Sequence, residues 1–403
     1  MIAILTLSSP TKASFADPLP ECLDVPTTLL CRVSNDLAIT TEEFLEKVSE
    51  ATTLRPYALK PFYLTPRYFA ASGDLARAIE IVQDYRDQYP TQTVSSSVFD
   101  VDPVKEVRLY SINIATDPLP ILDSINVPQA IQLAEQDADE WARIAAARSL
   151  ATSDAIDQAR EAFIMASDIS QYPNMSLLVP WAASGFADDA LRYAAELSPI
   201  AESWSKLYLA EGLAMRGDIE GTRALVTELL GDMPMLGQPA IAEAYRRAGQ
   251  PETALALLDE TARAIETMSP GLREASFYRR IAIGYALLND VEMTRYMMLR
   301  ATYGTSFDRF SWQKVAPFIA CHDLTIAIDL SGGSDALPRD VTELLIVASR
   351  SGLAEDAYLI AKSQENLVDR TLYLMAVTIG IIQAENVPPS DTPCSTLSIA
   401  SVY

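Results

Sequence analysis

From about residue 41 to 385 the apolar residues recur at helical spacing, and short breakers interrupt them at regular intervals. Thr40 and Glu43 form a capping box ahead of Phe44, Leu45 and Val48, which predicts that the first helix begins there. Further on, a breaker followed five positions later by a small residue recurs as Gly73 and Ala78, Gly185 and Ala190, Gly217 and Thr222, and Gly249 and Ala254. The same pattern continues as Asn289 and Thr294, His322 and Ala327, and Gly352 and Ala357. Successive breakers from Gly185 onward lie 32, 32, 40, 33 and 30 residues apart, and a weaker unit turns at Asp154 with Ala159. Such a period predicts stacked antiparallel helical hairpins, because a single hairpin cannot bury its own apolar face. The breaker ends one helix in a conformation that Gly or Asn tolerates, and the small residue lets the next helix close on it.

Aromatic and aliphatic residues keep the same register. Phe69, Trp181, Tyr245, Tyr285 and Phe318 stand four residues before a breaker, and Leu177, Leu209, Ile241, Ile281 and Leu344 stand eight before it. Over roughly residues 58–370 this pattern resembles the tetratricopeptide-repeat (TPR) family in a degenerate form. The closing proline occurs only as Pro90 and Pro234, and Ala210, Ala242 and Ala282 replace the first-helix Gly. The resemblance implies an all-α fold, a right-handed α-solenoid of stacked antiparallel helical hairpins (a TPR-like superhelix). Sel1-like or other α-solenoid spacing fits the same period.

The ends and one internal stretch depart from the rhythm. Residues 1–16 read as a truncated signal peptide: a short apolar stretch, Pro10, then Ser14-Phe15-Ala16 as a cleavage site, without a charged leading region. Residues 17–40 are expected to be an extended segment, 41–90 the first hairpins, 91–128 an irregular insertion or joint, 129–385 the main array and 386–403 a tail. The four cysteines, Cys22, Cys31, Cys321 and Cys394, allow three pairings, and none sits in a C-x-x-C. An exported chain could staple its start with Cys22–Cys31; a cytoplasmic one would keep four thiols. The most apolar run, Leu372 to Ile382, is shorter than the roughly 18 residues that span a bilayer, and reads as a buried helix.

Charge narrows the partners. Lys+Arg number 31 against 54 Asp+Glu, a formal charge of -23, which opposes extended contact with phosphate backbones or anionic lipid. The reading is therefore no nucleic acid and no membrane insertion. Nucleotide-loop, dinucleotide, zincin and hydrolase-elbow motifs are all missing, so no cofactor is expected. His322 is the only histidine, and it reads as a breaker in place of Gly or Asn.

Two functions remain. The first is a non-enzymatic scaffold that binds a protein or peptide segment on the concave face of the solenoid, in the periplasm or another exported location. Residues 241–300 hold eight arginines and eight acidic residues and are locally neutral, so the rest of the chain carries the whole -23. By resemblance to tetratricopeptide repeats, Arg246, Arg247, Arg279 and Arg280 face the groove, with Tyr208, Glu211 and Glu243 beside them. Guanidinium groups there would fork onto an anionic terminus. The bland alternative is that these arginines pair with acids on adjacent helices. The second function is an all-α enzyme acting on cell-envelope polysaccharide, which needs two facing carboxylates about 5 to 10 Å apart in a closed pocket. Asp188-Asp189, Asp259-Glu260 and Glu42-Glu43 supply adjacent acids of the right type.

Overall fold

A computed structural model describes residues 28–50, 64–74, 178–195, 199–231, 233–268, 275–301, 309–333 and 338–386, with scattered positions in 157–164 and at 19, 22, 77, 336 and 394. The protein is all-helical over these residues, and no strand occurs among them. In chain order the helices are α1 (Leu29–Glu50), α2 (Thr65–Ala71), α3 (Leu178–Ala183), α4 (Ala187–Ala194), α5 (Pro199–Met215) and α6 (Ile219–Thr227). There follow α7 (Met233–Arg247), α8 (Pro251–Thr267), α9 (Ala275–Leu287), α10 (Val291–Ala301) and α11 (Arg309–Ala320). The last are α12 (Leu324–Leu330), α13 (Pro338–Ala348), a π-helical turn Ser349–Leu353, α14 (Ala354–Lys362) and α15 (Leu367–Asn386).

The turns explain the pairing of helices. Gly73, Gly185, Gly217, Gly249, Asn289 and Gly352 all take positive φ, the conformation that reverses a chain at a helix C-terminus. In five of these turns the next amide reaches back five residues: Asp74 to Phe69, Phe186 to Trp181, Asp218 to Leu213, Gln250 to Tyr245, and Asp290 to Tyr285, at 2.8–3.2 Å. Asp218 and Asp290 then cap the following helix by accepting from the amides of Gly221 and Met293. Five positions after the breakers from Gly185 onward, Ala190, Thr222, Ala254, Thr294, Ala327 and Ala357 are completely buried; Ala78, the partner of Gly73, lies outside the described residues.

Packing follows chain order from α3 to α15. The odd-numbered helices α3, α5, α7, α9, α11, α13 and α15 each pack on the next odd one, forming a continuous row. Each even-numbered helix from α4 to α14 packs on the odd helices before and after it, making a second row. Close approach within the first row needs glycine at two places. A Cβ on Gly212 would lie 2.6 Å from Ala182 Cβ and from the Val179 carbonyl, and one on Gly380 would lie 2.6 Å from the Ile346 carbonyl.

The N-terminal helices do not stand at the α3 end. Both α1 and α2 pack on α15, and α1 also touches α14. Asp36 accepts from Tyr358 at 2.7 Å and pairs with Lys362 at 2.9 Å; Arg32 pairs with Glu355 at 2.7 Å and Arg67 with Glu343 at 2.6 Å. Wrapped by α1, α2, α13 and α14, α15 is buried from Thr371 to Gln383. That helix is long and apolar enough to cross a membrane by length and composition, and it serves here as a core helix.

One boundary needs correction. The expected extended segment 17–40 and helix start at Thr40 are overturned, because α1 already begins at Leu29. Leu30, Val33 and Leu37 extend its buried face upstream, Thr28 Oγ1 accepts from the Cys31 amide at 3.2 Å, and Thr40 and Thr41 lie buried inside the helix. The expected cleavage after Ala16 and the irregular stretch 91–128 lie outside the described residues.

Candidate functional site

Helix α7 presents two different faces. Glu243 lies two residues from both Ile241 and Tyr245, which at about 100° per residue puts it on the opposite side of the helix from them. On the Glu243 side the groove candidates form a seam of buried ion pairs. Arg246 donates to both oxygens of Glu243, at 2.7 and 2.8 Å, and Arg247 Nε donates to Oε1 at 2.6 Å. Arg280 of α9 reaches past α7 to pair with Glu211 of α5, and its Nε donates to the Leu236 carbonyl at 2.9 Å. The side chains of Glu211, Arg280, Glu243 and Arg246 are only 1, 2, 3 and 6 % exposed.

These placements change the expected role of the seam. Among the candidates, Glu211, Glu243, Arg246 and Arg280 are buried, while Tyr208, Arg247 and Arg279 are half-buried. Arg246 and Arg247 pair with Glu243 on their own helix and Arg280 with Glu211 on the helix beyond α7, largely buried rather than exposed; Arg279 has no such pair among the described residues, and its Nε is buried without a hydrogen-bond partner. Guanidinium groups so engaged bind the fold's own carboxylates, and Glu211 and Glu243 are engaged in turn. Helix α9, which carries Arg279 and Arg280, is buried at Phe277, Tyr278 and every position from Arg280 to Leu287.

In two of the three adjacent-acid pairs one member is engaged, while Glu42, Glu43 and Glu260 are exposed. Asp189 accepts from Arg160 at 2.8 and 2.9 Å and also pairs with Arg192; the Arg160 hydrogen bond holds its carboxyl below the usual range. Asp259 accepts from the Tyr285 hydroxyl at 2.7 Å, and burial together with that carboxylate pushes the Tyr285 phenol up.

The opposite face of α7 is open. Helices α6 and α8 stand on either side of it, leaving a groove of about 440 Å³ with Val226, Pro234, Ile241, Ala256 and Leu257 as its apolar lining. Arg223 and Glu260 sit on the rims, on α6 and α8 respectively, and both are exposed. The Arg223 guanidinium lies over the Tyr245 ring at 5.7 Å and donates to its hydroxyl. Sequence reasoning missed this groove. Its signal lies in the i, i+4, i+7, i+11 series Pro234, Gln238, Ile241 and Tyr245 along one face of α7.

The cysteines form two bridges. Cys22 joins Cys31, and Cys321 joins Cys394. The second bridge lies at the turn where His322 replaces the usual Gly or Asn. His322 is not among the positive-φ residues, and the Asp323 amide bonds the Ile319 carbonyl four residues back instead of five. Burial holds the His322 imidazole below its ordinary range. Compared with protein-family models and with characterised proteins, the chain matches none.

Proposed function

We propose that the described helices are the stacked hairpins of a right-handed, TPR-like α-solenoid, and that the protein is a non-enzymatic scaffold for a protein or peptide segment. The groove on the outer face of α7 is the binding surface, in place of the buried arginine seam. What carries this reading is the contrast on one helix: inward guanidinium groups are committed to internal carboxylates, whereas Arg223 is exposed beside an apolar trough. The occupant is an extended peptide that places a carboxylate on Arg223 and apolar side chains along Ile241 and Leu257. Local charge supports it, because the charged lining residues are one Arg and one Glu, Arg223 and Glu260, in an otherwise strongly acidic chain. An acidic segment is repelled over most of this surface and tolerated there. An exported location remains the proposed setting, with Cys22–Cys31 and Cys321–Cys394 as the supporting feature.

An array of short peptides bearing free or amidated C-termini tests the assignment with the full chain. Retention of a subset with free carboxylates is expected, together with its loss in Arg223→Glu and in Leu257→Asp. Retention that is indifferent to both substitutions removes the groove from the reading. No retention at all removes the peptide.

A further inference from the structure

The turn after α11 holds a convergence that neither the fold nor the groove uses. Cys321 and His322 are adjacent in the chain, and Cys394 arrives from the tail, 73 residues after Cys321. The two sulfurs and a ring nitrogen of His322 lie within 4.8 Å of one another, and His322 Nε2 is 3.2 Å from Cys394 Sγ. No second group of this kind converges among the described residues.

We propose that Cys321, His322 and Cys394 form a binding site for one thiophilic divalent cation of the zinc class, available when the Cys321–Cys394 bridge is open. A dithiol-disulfide reductase acting in the same compartment opens it: two electrons pass from its dithiol to the bridge, the reductase leaves as its own disulfide, and two thiols are formed. Cation binding then releases both thiol protons and makes two metal–sulfur bonds and one metal–nitrogen bond. Zinc–sulfur and zinc–nitrogen distances of about 2.3 and 2.0 Å set tetrahedral ligand atoms roughly 3.6 Å apart, within the span that these three residues already share. Three protein ligands leave a fourth position for water or a further donor. The bridge and the ion are thus alternative ways of fastening the tail to the α11 turn. The sequence supports the choice of residues, since the chain's only histidine occupies the one turn of the series not closed by Gly or Asn. Cys22–Cys31 provides an internal control, because no imidazole joins it.

The test uses the full chain with Cys22→Ser and Cys31→Ser, reduced under argon with a water-soluble phosphine and titrated with Co²⁺. The phosphine takes up oxygen from water to become its oxide, and the bridge becomes two thiols. Uptake of one equivalent with a thiolate-to-cobalt charge-transfer band, displaced by Zn²⁺ and not seen in the oxidised protein, is the expected result. Cys394→Ser and His322→Asn should each weaken uptake by more than the roughly 10–100-fold that loss of an outer-shell partner costs. His322 does not take a positive φ, so His322→Asn removes the ring without asking the turn for a strained backbone. If the double serine variant does not fold, the difference between the unaltered chain and Cys394→Ser isolates the site. Absence of cobalt uptake, uptake unchanged by His322→Asn, or loss of the helical circular dichroism on reduction before metal is added overturns the proposal.

Discussion

Arg246 and Arg223 both contact residues of α7, and their surroundings could hardly differ more. Arg246 is buried with its Nε and a terminal nitrogen on Glu243, whereas Arg223 is exposed over Tyr245 at the rim of a groove and donates to the Tyr245 hydroxyl. The same side-chain type is thus sealed against a carboxylate on one face and solvent-facing on the other. Solvent decides between them. Removing water from a guanidinium costs several kcal/mol, which only a well-placed carboxylate offsets, so the buried face must satisfy itself internally.

The largest effect should come from breaking the buried side. Arg280→Met leaves Glu211 charged and without its partner, at an expected cost of about 3–5 kcal/mol. Urea denaturation measures it, and Arg280→Met combined with Glu211→Leu should recover most of the loss. A single-variant cost below about 1 kcal/mol, the range of exposed pairs, would erase the distinction between the faces.

Next in size is a packing test between α7 and α8. Ala254 is fully buried five residues after Gly249, and Ala254→Leu should cost ~1–3 kcal/mol by overpacking. Thermal melts that match the parent would mean that α8 does not close on α7 at that residue.

The open side should be thermodynamically quiet. Arg223→Ala is expected to change stability by no more than about 0.5 kcal/mol, while abolishing retention of carboxylate-bearing peptides. A large shift in the melt would show Arg223 to be structural like Arg246.

A pH-dependent effect, confined to acid conditions, sharpens the comparison at a partly covered acid. Arg160 and Arg192 lower the pKa of Asp189, so its contribution is fully present above the unfolded value of about 3.9 and is lost as pH falls through the folded one. Asp189→Asn should flatten the acid limb of stability by up to about 1 kcal/mol. An unchanged slope in acid denaturation would show the pairing to be without energetic weight.

Spacing in the sequence located the breakers and the fully buried residues five positions later, because those depend on local backbone geometry and on contact between consecutive helices. It also grouped the arginines, since they recur on consecutive odd-numbered helices. What it could not reveal was depth. Arg280 and Glu211 are 69 residues apart, and nothing in helical periodicity distinguishes a charge that will be sealed between layers from one that will face water. The same limit hid the Cys321–Cys394 bridge and the attachment of α1 to α15, both of which join segments far apart in the chain. The start of α1 was misplaced for a different reason: the Thr40 and Glu43 pair has the form of a cap, but the apolar face continues upstream through Leu37, Val33 and Leu30 and outweighs it.

The docking of α1 on α15 sets a timetable. Leu29–Glu50 leaves the ribosome early, yet the helix that covers its apolar face, Leu367–Asn386, is made last. At roughly 5–20 residues per second, the interval between them is on the order of a quarter of a minute to a minute. Throughout that time α1 lacks the surface of α15 on which it packs in the folded chain. The first described helix thus waits for the last described one, and a nascent or prematurely ended chain leaves that face of α1 without α15.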